Sequence, residues 1–428
     1  MNQVTVVGAG IVGLATALQL RMDGFAVQII DPNEPASGCS AGNAGYLSEA
    51  NIFPSNSTES LKKLPALLKD PLGPLTIHAS YIPRFLPWGI RAALALRPEQ
   101  LSKTVEAMSA LIRPAIESYD SLLREARASH LMERRGALAI CKKLETLEAR
   151  SAKIPALQQH HVAVERISKE QALELEPAIS RDIQGALFYP NSGRCLGPRR
   201  LGEMFAQRLQ EAGCRFIKAS IHRMAPTAAG RWRLDSDIGS LDTDLVVVCA
   251  GRRSDALMRP LGYSAPLISE RGYHLMLPMP SVSLGRPVSI AEAYFVATPM
   301  ADGLRLAGTA EFAPADAPMN AARSDMLFKL ATPYFPGLSR EGAVRWMGVR
   351  PSLPDGLPAI GRASRHANLY YSFGHGHNGL TLAAVSAKLL ASIVSGRKVP
   401  QIDSHPYAVE RFSLWRRSCG EARGHLSA

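Results

Sequence analysis

Cysteine is scarce in this chain of 428 residues: Cys39, Cys141, Cys195, Cys214, Cys249 and Cys419 are the six thiols, and no two form a CxxC pair. That scatter argues against both a zinc site and a disulfide framework, and the thiols read as reduced and packed. Aromatic residues make up only 6% and charged residues 20%, beside 46% hydrophobic, which excludes a disordered or fibrous chain. No unbroken apolar run is long enough to span a bilayer, and the N-terminus opens directly into a strand pattern instead of a basic and then apolar leader. A cytoplasmic location is therefore expected. Internal repeats and low-complexity tracts are also absent. Acids are outnumbered, with 37 Asp and Glu against 49 Lys and Arg, a net charge of +12. The bases are interspersed with acids and no nucleic-acid recognition module accompanies them. A solvated basic surface, attraction to an anionic membrane, or attraction to anionic substrates remain as readings of that charge.

What is present begins almost at the first residue. The apolar run at 4–7 leads into Gly8-Ala9-Gly10-Ile11-Val12-Gly13, a helical pattern at 14–20, and a second apolar run ending in Asp31. This is the strand, glycine turn, helix and strand of a dinucleotide-binding unit. The first glycine permits the turn, the second lets backbone approach a pyrophosphate, and the third lets helix pack on strand. The helix N-terminus offers free N–H groups and a positive dipole end to phosphate. Asp31 stands where an acid accepts a ribose hydroxyl and repels a 2′-phosphate, which favours FAD or NAD over NADP.

Length suggests two domains. Helical patterns are expected at 102–128, 143–150, 199–212 and 380–395, and strands at 136–141, 185–189, 215–218, 232–235, 244–249 and 369–373. The run 244–249 is apolar on both faces, as a central parallel strand requires. From 256 to 345 the texture alternates, which suits an antiparallel sheet. Segment 77–97 carries Tyr81, Phe85 and Trp88 with Arg84, Arg91 and Arg97. It reads either as a helix covering a core or as an apolar face for a membrane, and Pro83 and Pro87 weaken any long amphipathic helix there.

Six segments, in order, resemble one family. They are the N-terminal glycine turn with Asp31, the loop Gly38-Cys39-Ser40-Ala41-Gly42-Asn43-Ala44-Gly45, the strand end Val246 to Gly251, Trp346-Met347-Gly348-Val349-Arg350-Pro351, Leu357 to Gly361, and the turn Gly374 to Thr381. Together they resemble the FAD-dependent D-amino-acid oxidase superfamily, nearest the bacterial D-amino-acid dehydrogenases, over nearly the whole chain. The resemblance implies a mixed α/β fold: a Rossmann-like FAD-binding domain from 1–50, 195–257 and 345–400, a mostly antiparallel substrate domain from 51–194 and 258–344, and a tail at 401–428. It implies FAD held by Gly8, Gly10, Ile11, Val12, Gly13 and Asp31, by Ser40, Ala41, Gly42, Asn43, Ala44 and Gly45, by Ile221, Ala250 and Gly251, and by Gly376, His377, Asn378, Gly379, Leu380 and Thr381. Some relatives attach flavin through a His in the loop; Gly42 stands at the matching position, so non-covalent FAD is expected.

Arg350 is expected to grip the substrate carboxylate, a planar fork matched to a planar acid. Its alternative is a structural pairing with a local acid such as Asp355. Tyr273, His274, Tyr46 and His377 are further site candidates, while Tyr294 reads equally as core or rim. Ile221 would look the same as an ordinary core residue. His375 and His377 lack a nearby Cys or acid to complete a ligand set, so no metal is expected. The implied reaction is hydride transfer from Cα of a D-amino or imino acid to flavin N5, giving a 2-oxo acid and ammonia or a cyclic imine. A quinone or other respiratory carrier is the implied acceptor, with peripheral contact at the inner membrane. An oxidase releasing hydrogen peroxide, an NAD-dependent dehydrogenase and a non-enzymatic flavin-binding subunit stay open.

Overall fold

The computed structural model describes residues 3–54, 70, 72–397 and 402–413. Cys419 and most of the expected tail lie outside the described residues. The N-terminal strand β1 (Gln3–Val7), helix α1 (Ile11–Met22) and strand β2 (Ala26–Ile30) form the first βαβ unit. They belong to a six-stranded sheet in the order 215–217, 26–30, 3–7, 245–248, 369–373 and 359–362. Every pairing is parallel except the last, between 359–362 and 369–373. Val4, Val6, Val246, Val247 and Val248 are wholly buried, because helices and connections cover both faces of a parallel sheet.

Helix α2 (Ile82–Ala95) runs through Pro87, one of the two prolines expected to weaken a long amphipathic helix there. Pro83 sits in its first turn, and Pro87 forfeits a single hydrogen bond one turn later. The expected helix at 102–128 is instead two helices, Pro98–Ile112 and Ala115–Glu125, interrupted by Pro114. A second, nine-stranded sheet contains β3 (Ile268–Leu277), β4 (Gly303–Phe312) and β5 (Val344–Ser352), with β5 at one end, then β3 and then β4. Strand β5 pairs antiparallel with β3 along its length. The segment from 345, expected with the cofactor unit, therefore starts as an edge strand of the large sheet.

Alternate residues of β3 serve opposite faces. Arg271 and Tyr273 point into the core beneath the sheet, where the Tyr273 hydroxyl donates to Glu311 at 2.5 Å and Arg271 lies 3.2 Å from the same carboxylate. Burial, and then Glu311, pushes the Tyr273 hydroxyl up to about 12, so it keeps its proton. Helix α3 (Gly379–Val394) packs against α1 and the helix Ala115–Glu125. With the turn that precedes it, Gly376–Val394 is among the described residues the one stretch long and apolar enough to cross a membrane, and 67% of it is buried inside the protein, so α3 is a core helix. Residues 402–413 dock: Tyr407 donates to the Ala107 carbonyl at 2.7 Å, and Arg411 pairs with Asp355 at 2.7 Å.

Replacing Glu311 by Leu leaves the buried Arg271 guanidinium without its carboxylate. The expected cost is about 3–5 kcal/mol of unfolding free energy, measured by urea denaturation. A loss below about 1 kcal/mol would show that the ion pair is not what holds this layer together.

Candidate active site

The glycine turn after β1 is built by contact. A Cβ at Gly8 (φ +115°) would overlap the Cys249 carbonyl, and a Cβ at Gly13 would overlap the Gly8 carbonyl. Gly10 by contrast meets only Ser40 Oγ, at 3.5 Å. The N-terminus of α1 has no side-chain cap and no acid in its first turn. Its first N–H, from Ile11, donates to Ser40 Oγ at 3.0 Å. Asp31 accepts from Ala9 N at 2.8 Å through Oδ2 and from Asn33 N at 2.8 Å and Asn33 Nδ2 at 3.4 Å through Oδ1, so the acid braces the turn while Oδ2 keeps a lone pair. An uncapped helix end, a backbone open at Gly10 and a hydroxyl beside it fit a pyrophosphate. The N-terminus of α3, entered through Gly376–Asn378, likewise has no side-chain cap and no acid in its first turn. Asn378 is buried there and accepts from Asn51 at 3.0 Å, tying this second turn to the chain just beyond the 40–45 loop. Leu380 and Thr381 are buried in the first turn of α3. Ala250 and Gly251 follow the strand Leu245–Val248, beside Gly8.

Three strands of the large sheet clamp the loop Ser40 to Gly45. From β4, Arg305 Nη1 donates to the Ala41 carbonyl at 3.2 Å and the Asn43 carbonyl at 2.5 Å. From β3, His274 Nδ1 lies 3.1 Å from the Gly42 carbonyl. From β5, the Trp346 ring stacks on His274 at 4.9 Å and 11°. A Cβ at Gly42 or Gly348 would overlap that indole. Burial, with Arg305 adding to it, lowers the His274 pKa to about 3. The ring is therefore neutral, and since a carbonyl only accepts, Nδ1 carries the proton and donates it. Within the loop, the Gly45 N–H donates to Asn43 Oδ1 at 2.9 Å, and Ala44 is half-buried between them. Sequence reasoning passed over Arg305 and Trp346. A lone Arg inside the apolar strand pattern Leu-Arg-Leu was the available signal.

Arg350 lies opposite Glu270 in the β3–β5 register and donates Nη1 to it at 2.8 Å. It does not pair with Asp355, which Arg411 occupies. Its guanidinium lies over Gly272, where a Cβ would overlap Nη2, Cζ and Nε. Among the described residues, no protein acceptor engages Nε or Nη2. Ser352 donates to the other Glu270 oxygen at 2.6 Å. Burial works against the Glu270 charge, but Arg350, Ser352 and His377 outweigh it and hold the carboxyl below its ordinary value. His377 joins this group: burial lowers its pKa, with Glu270 opposing and Arg350 assisting. Glu270 is a further residue that the sequence did not announce, since an acid in an alternating strand looks solvent-exposed.

The other candidates separate. Tyr273, expected at the pocket wall, points to the opposite face of β3, because its neighbours 272 and 274 take the site face. Tyr46 starts the short strand Tyr46–Leu47 paired with Gly193–Cys195, beside Ser48, Ser192 and Arg150, away from the Arg350 group. Tyr294 is half exposed at φ +54°. Ile221 packs with Val7, Ile30 and Trp232. His375 is buried against Ser386 Oγ at 3.0 Å, and burial lowers its pKa to about 3. No cluster of metal-ligating side chains occurs among the described residues.

Comparison with known proteins bears on the family and the fold. Residues 3–393 match the protein family described as FAD dependent oxidoreductase. The chain is 32% identical to the D-amino-acid oxidase of Bradyrhizobium diazoefficiens, over 96% of this chain and 99% of that one. It is 30% identical to D-amino acid dehydrogenase 2 of Mesorhizobium japonicum, over 94% and 98% respectively. Glycine oxidase from Geobacillus kaustophilus shares the fold with a TM-score of 0.72 at 21% identity, over 96% of this chain and 99% of that one. L-proline dehydrogenase from P. horikoshii gives 0.73 at 16%, over 97% and 98%.

His274 and His375 yield a pH prediction. Unfolded, these rings take up protons near 6.5; folded, they refuse them until about 3. Their contribution to stability is thus fully present above pH 6.5 and is lost as pH falls from there toward 3. Urea midpoints measured across that window should fall steadily, and the double variant His274→Gln, His375→Gln should flatten the curve. Equal slopes in both proteins would exclude these rings as the cause.

Proposed function

The chain belongs to the family of FAD-dependent oxidoreductases, and on that premise we propose that it oxidises a D-amino or D-imino acid at Cα and passes the electrons to a quinone or similar respiratory carrier. Its cofactor is FAD. The one observation that carries the substrate assignment is Arg350, a guanidinium fixed through Nη1, bedded on Gly272, and left with Nε and Nη2 for a carboxylate. The relatives named D-amino-acid oxidase and D-amino acid dehydrogenase support the choice of a D-amino acid.

The residues proposed to hold FAD are the turn Gly8 to Gly13 with Asp31, the loop Ser40 to Gly45, Ala250 and Gly251, and the turn Gly376 to Thr381; the side chain of Gly42 being a single hydrogen, attachment is non-covalent. Bound there, the flavin supplies the acceptor for hydride from the substrate Cα. Arg350 binds the carboxylate and so sets which hydrogen is presented. Glu270 holds Arg350 in place. The α3 N-terminus, without a side-chain cap or an acid in its first turn, would offer its positive dipole end to a bound flavin and so favour the reduced, anionic cofactor. No side-chain base is required once the amine is neutral; the imine then hydrolyses to a 2-oxo acid and ammonia, or stays cyclic where the substrate is an imino acid. Five free cysteines among the described residues support a reducing, cytoplasmic setting, and the basic chain supports a position at the inner face of the membrane.

An oxidase that reduces O2 to hydrogen peroxide is the second reading, favoured by the 32% identity to a D-amino-acid oxidase. Peroxide release in air, set against reduction of a soluble quinone analogue, separates the two. Anaerobic bleaching of the flavin by a panel of D-, L- and N-methylated amino acids tests the substrate class, and bleaching by none of them refutes it.

Arg350→Ala should keep its flavin absorbance and lose about 100-fold in kcat/KM, mostly through KM. Gly272→Ala, which displaces the same guanidinium, should move KM in the same direction, and Glu270→Gln should do so by about tenfold. Unchanged KM in all three would remove this group from substrate binding.

A further inference from the structure

We propose that the outward face of α2 docks on an anionic lipid surface. This helix is apolar on both sides. Inward, Phe85 and Trp88 pack on Phe312 with ring centroids 4.8 and 5.5 Å apart, in a cluster with Tyr81 and Ile268. Outward, Ile82, Leu86 and Ile90 recur every four residues and are 50%, 58% and 53% exposed. Pro83, Pro87 and Ala93 are exposed along the same stretch. A folded protein seldom leaves three large aliphatic side chains aligned in water without a surface to receive them.

Charge selects the surface. From Leu72 to Pro98 the chain has no Asp or Glu, while Arg84, Arg91 and Arg97 lie within that stretch. Arg84 and Arg97 are exposed and Arg91 is half-buried. An apolar stripe with basic residues and no acid matches acyl chains beneath anionic headgroups. A helix of 14 residues is too short to span a bilayer, so it lies in the interface. The inner side of α2 abuts the substrate anchor: Trp88 Nε1 donates to the Ser352 carbonyl at 3.3 Å, and the Ser352 hydroxyl donates to Glu270. Docking through α2 therefore brings the proposed site to the lipid surface, where a lipid-soluble electron acceptor is at hand. This meaning rests on the proposed electron acceptor, but the docking itself is measured without substrate.

The test uses the full chain with FAD and vesicles of phosphatidylcholine, with and without phosphatidylglycerol, at about 0.15 M salt. Co-flotation with phosphatidylglycerol vesicles is expected, reduced at least tenfold in Leu86→Glu, Ile90→Glu and reduced also in Arg84→Gln, Arg97→Gln. Flavin content and turnover of a soluble acceptor should match wild type in both variants. Amide hydrogen exchange over 79–97, slowed on vesicles in the unmodified protein, reads the same contact without any substitution. Flotation unaffected by the Leu86 and Ile90 changes would mean attraction by overall charge and overturn the proposal. So would the absence of flotation, or a dimer in solution that dissociates in the Leu86 and Ile90 variant. Loss of amino-acid turnover with flotation intact would instead count against the proposed reaction alone.

Discussion

A loop of six residues in which no side chain exceeds asparagine cannot fix its own backbone by packing, so the carbonyls of Ala41, Gly42 and Asn43 are held from outside. Arg305 and His274 do this from two adjacent strands of the large sheet, and Trp346, on a third, stacks on His274. Small residues are needed where backbone must come close to a bound group, and the side chains that would ordinarily stabilise such a loop are moved to a neighbouring element. The cost is a buried guanidinium, whose Nη1 donates to the Ala41 and Asn43 carbonyls while its buried Nε is left without a partner, and a buried neutral imidazole that donates to the Gly42 carbonyl. Because the loop belongs to the N-terminal segment and its clamps to the large sheet, the two layers are set in register by these contacts.

The site face of the β3–β5 pair follows from strand geometry. Glu270 faces Arg350, Gly272 faces Gly348, and His274 faces Trp346, at successive positions of one face. Arg350 leans over Gly272 and Trp346 over Gly348, so the two large side chains fold inward on glycines. One face thus carries a carboxylate anchor at one end and a loop clamp at the other. The first βαβ unit was legible from its sequence because glycines at fixed offsets, the flanking apolar runs and Asp31 are all local. Arg350 and His274 were legible as residues of interest through their segments. Tyr273 was misplaced because strand parity depends on which partner a strand meets, and a bulge between Gly272 and Tyr273 against β4 makes that parity harder to count. Glu270, Arg305 and Trp346 escaped because each matters only through a residue far away in the chain. The strand β5 was assigned to the wrong layer for the same reason, its pairing with β3 being set by contacts across about 75 residues of sequence.

An ion pair like Glu270–Arg350 adds little net stability, since burial removes hydration from both groups. Its value lies in orientation. A free arginine side chain loses considerable rotamer freedom on gripping a carboxylate, whereas one already braced by Glu270 and seated on Gly272 loses less at the moment of binding. Fixing Nη1 also decides which two donors remain, and with them the angle at which an acid can approach. The Ser352 hydroxyl completes the second Glu270 oxygen, so the brace cannot swing away to meet another cation.

That brace has a continuation. The backbone of Ser352 accepts from Trp88, whose helix α2 exposes its opposite side. The sequence offered the segment as either a core-covering helix or an apolar face, and the two readings describe the two sides of one helix. Phe85 and Trp88 anchor it to Phe312, while Ile82, Leu86 and Ile90 stay outside. A helix held by one apolar face needs only polar residues on the other, so packing does not account for the outer three. Their presence, together with the lack of any acid from Leu72 to Pro98, is a property of the surface rather than of the core. A load on that surface reaches Glu270 through only two hydrogen bonds.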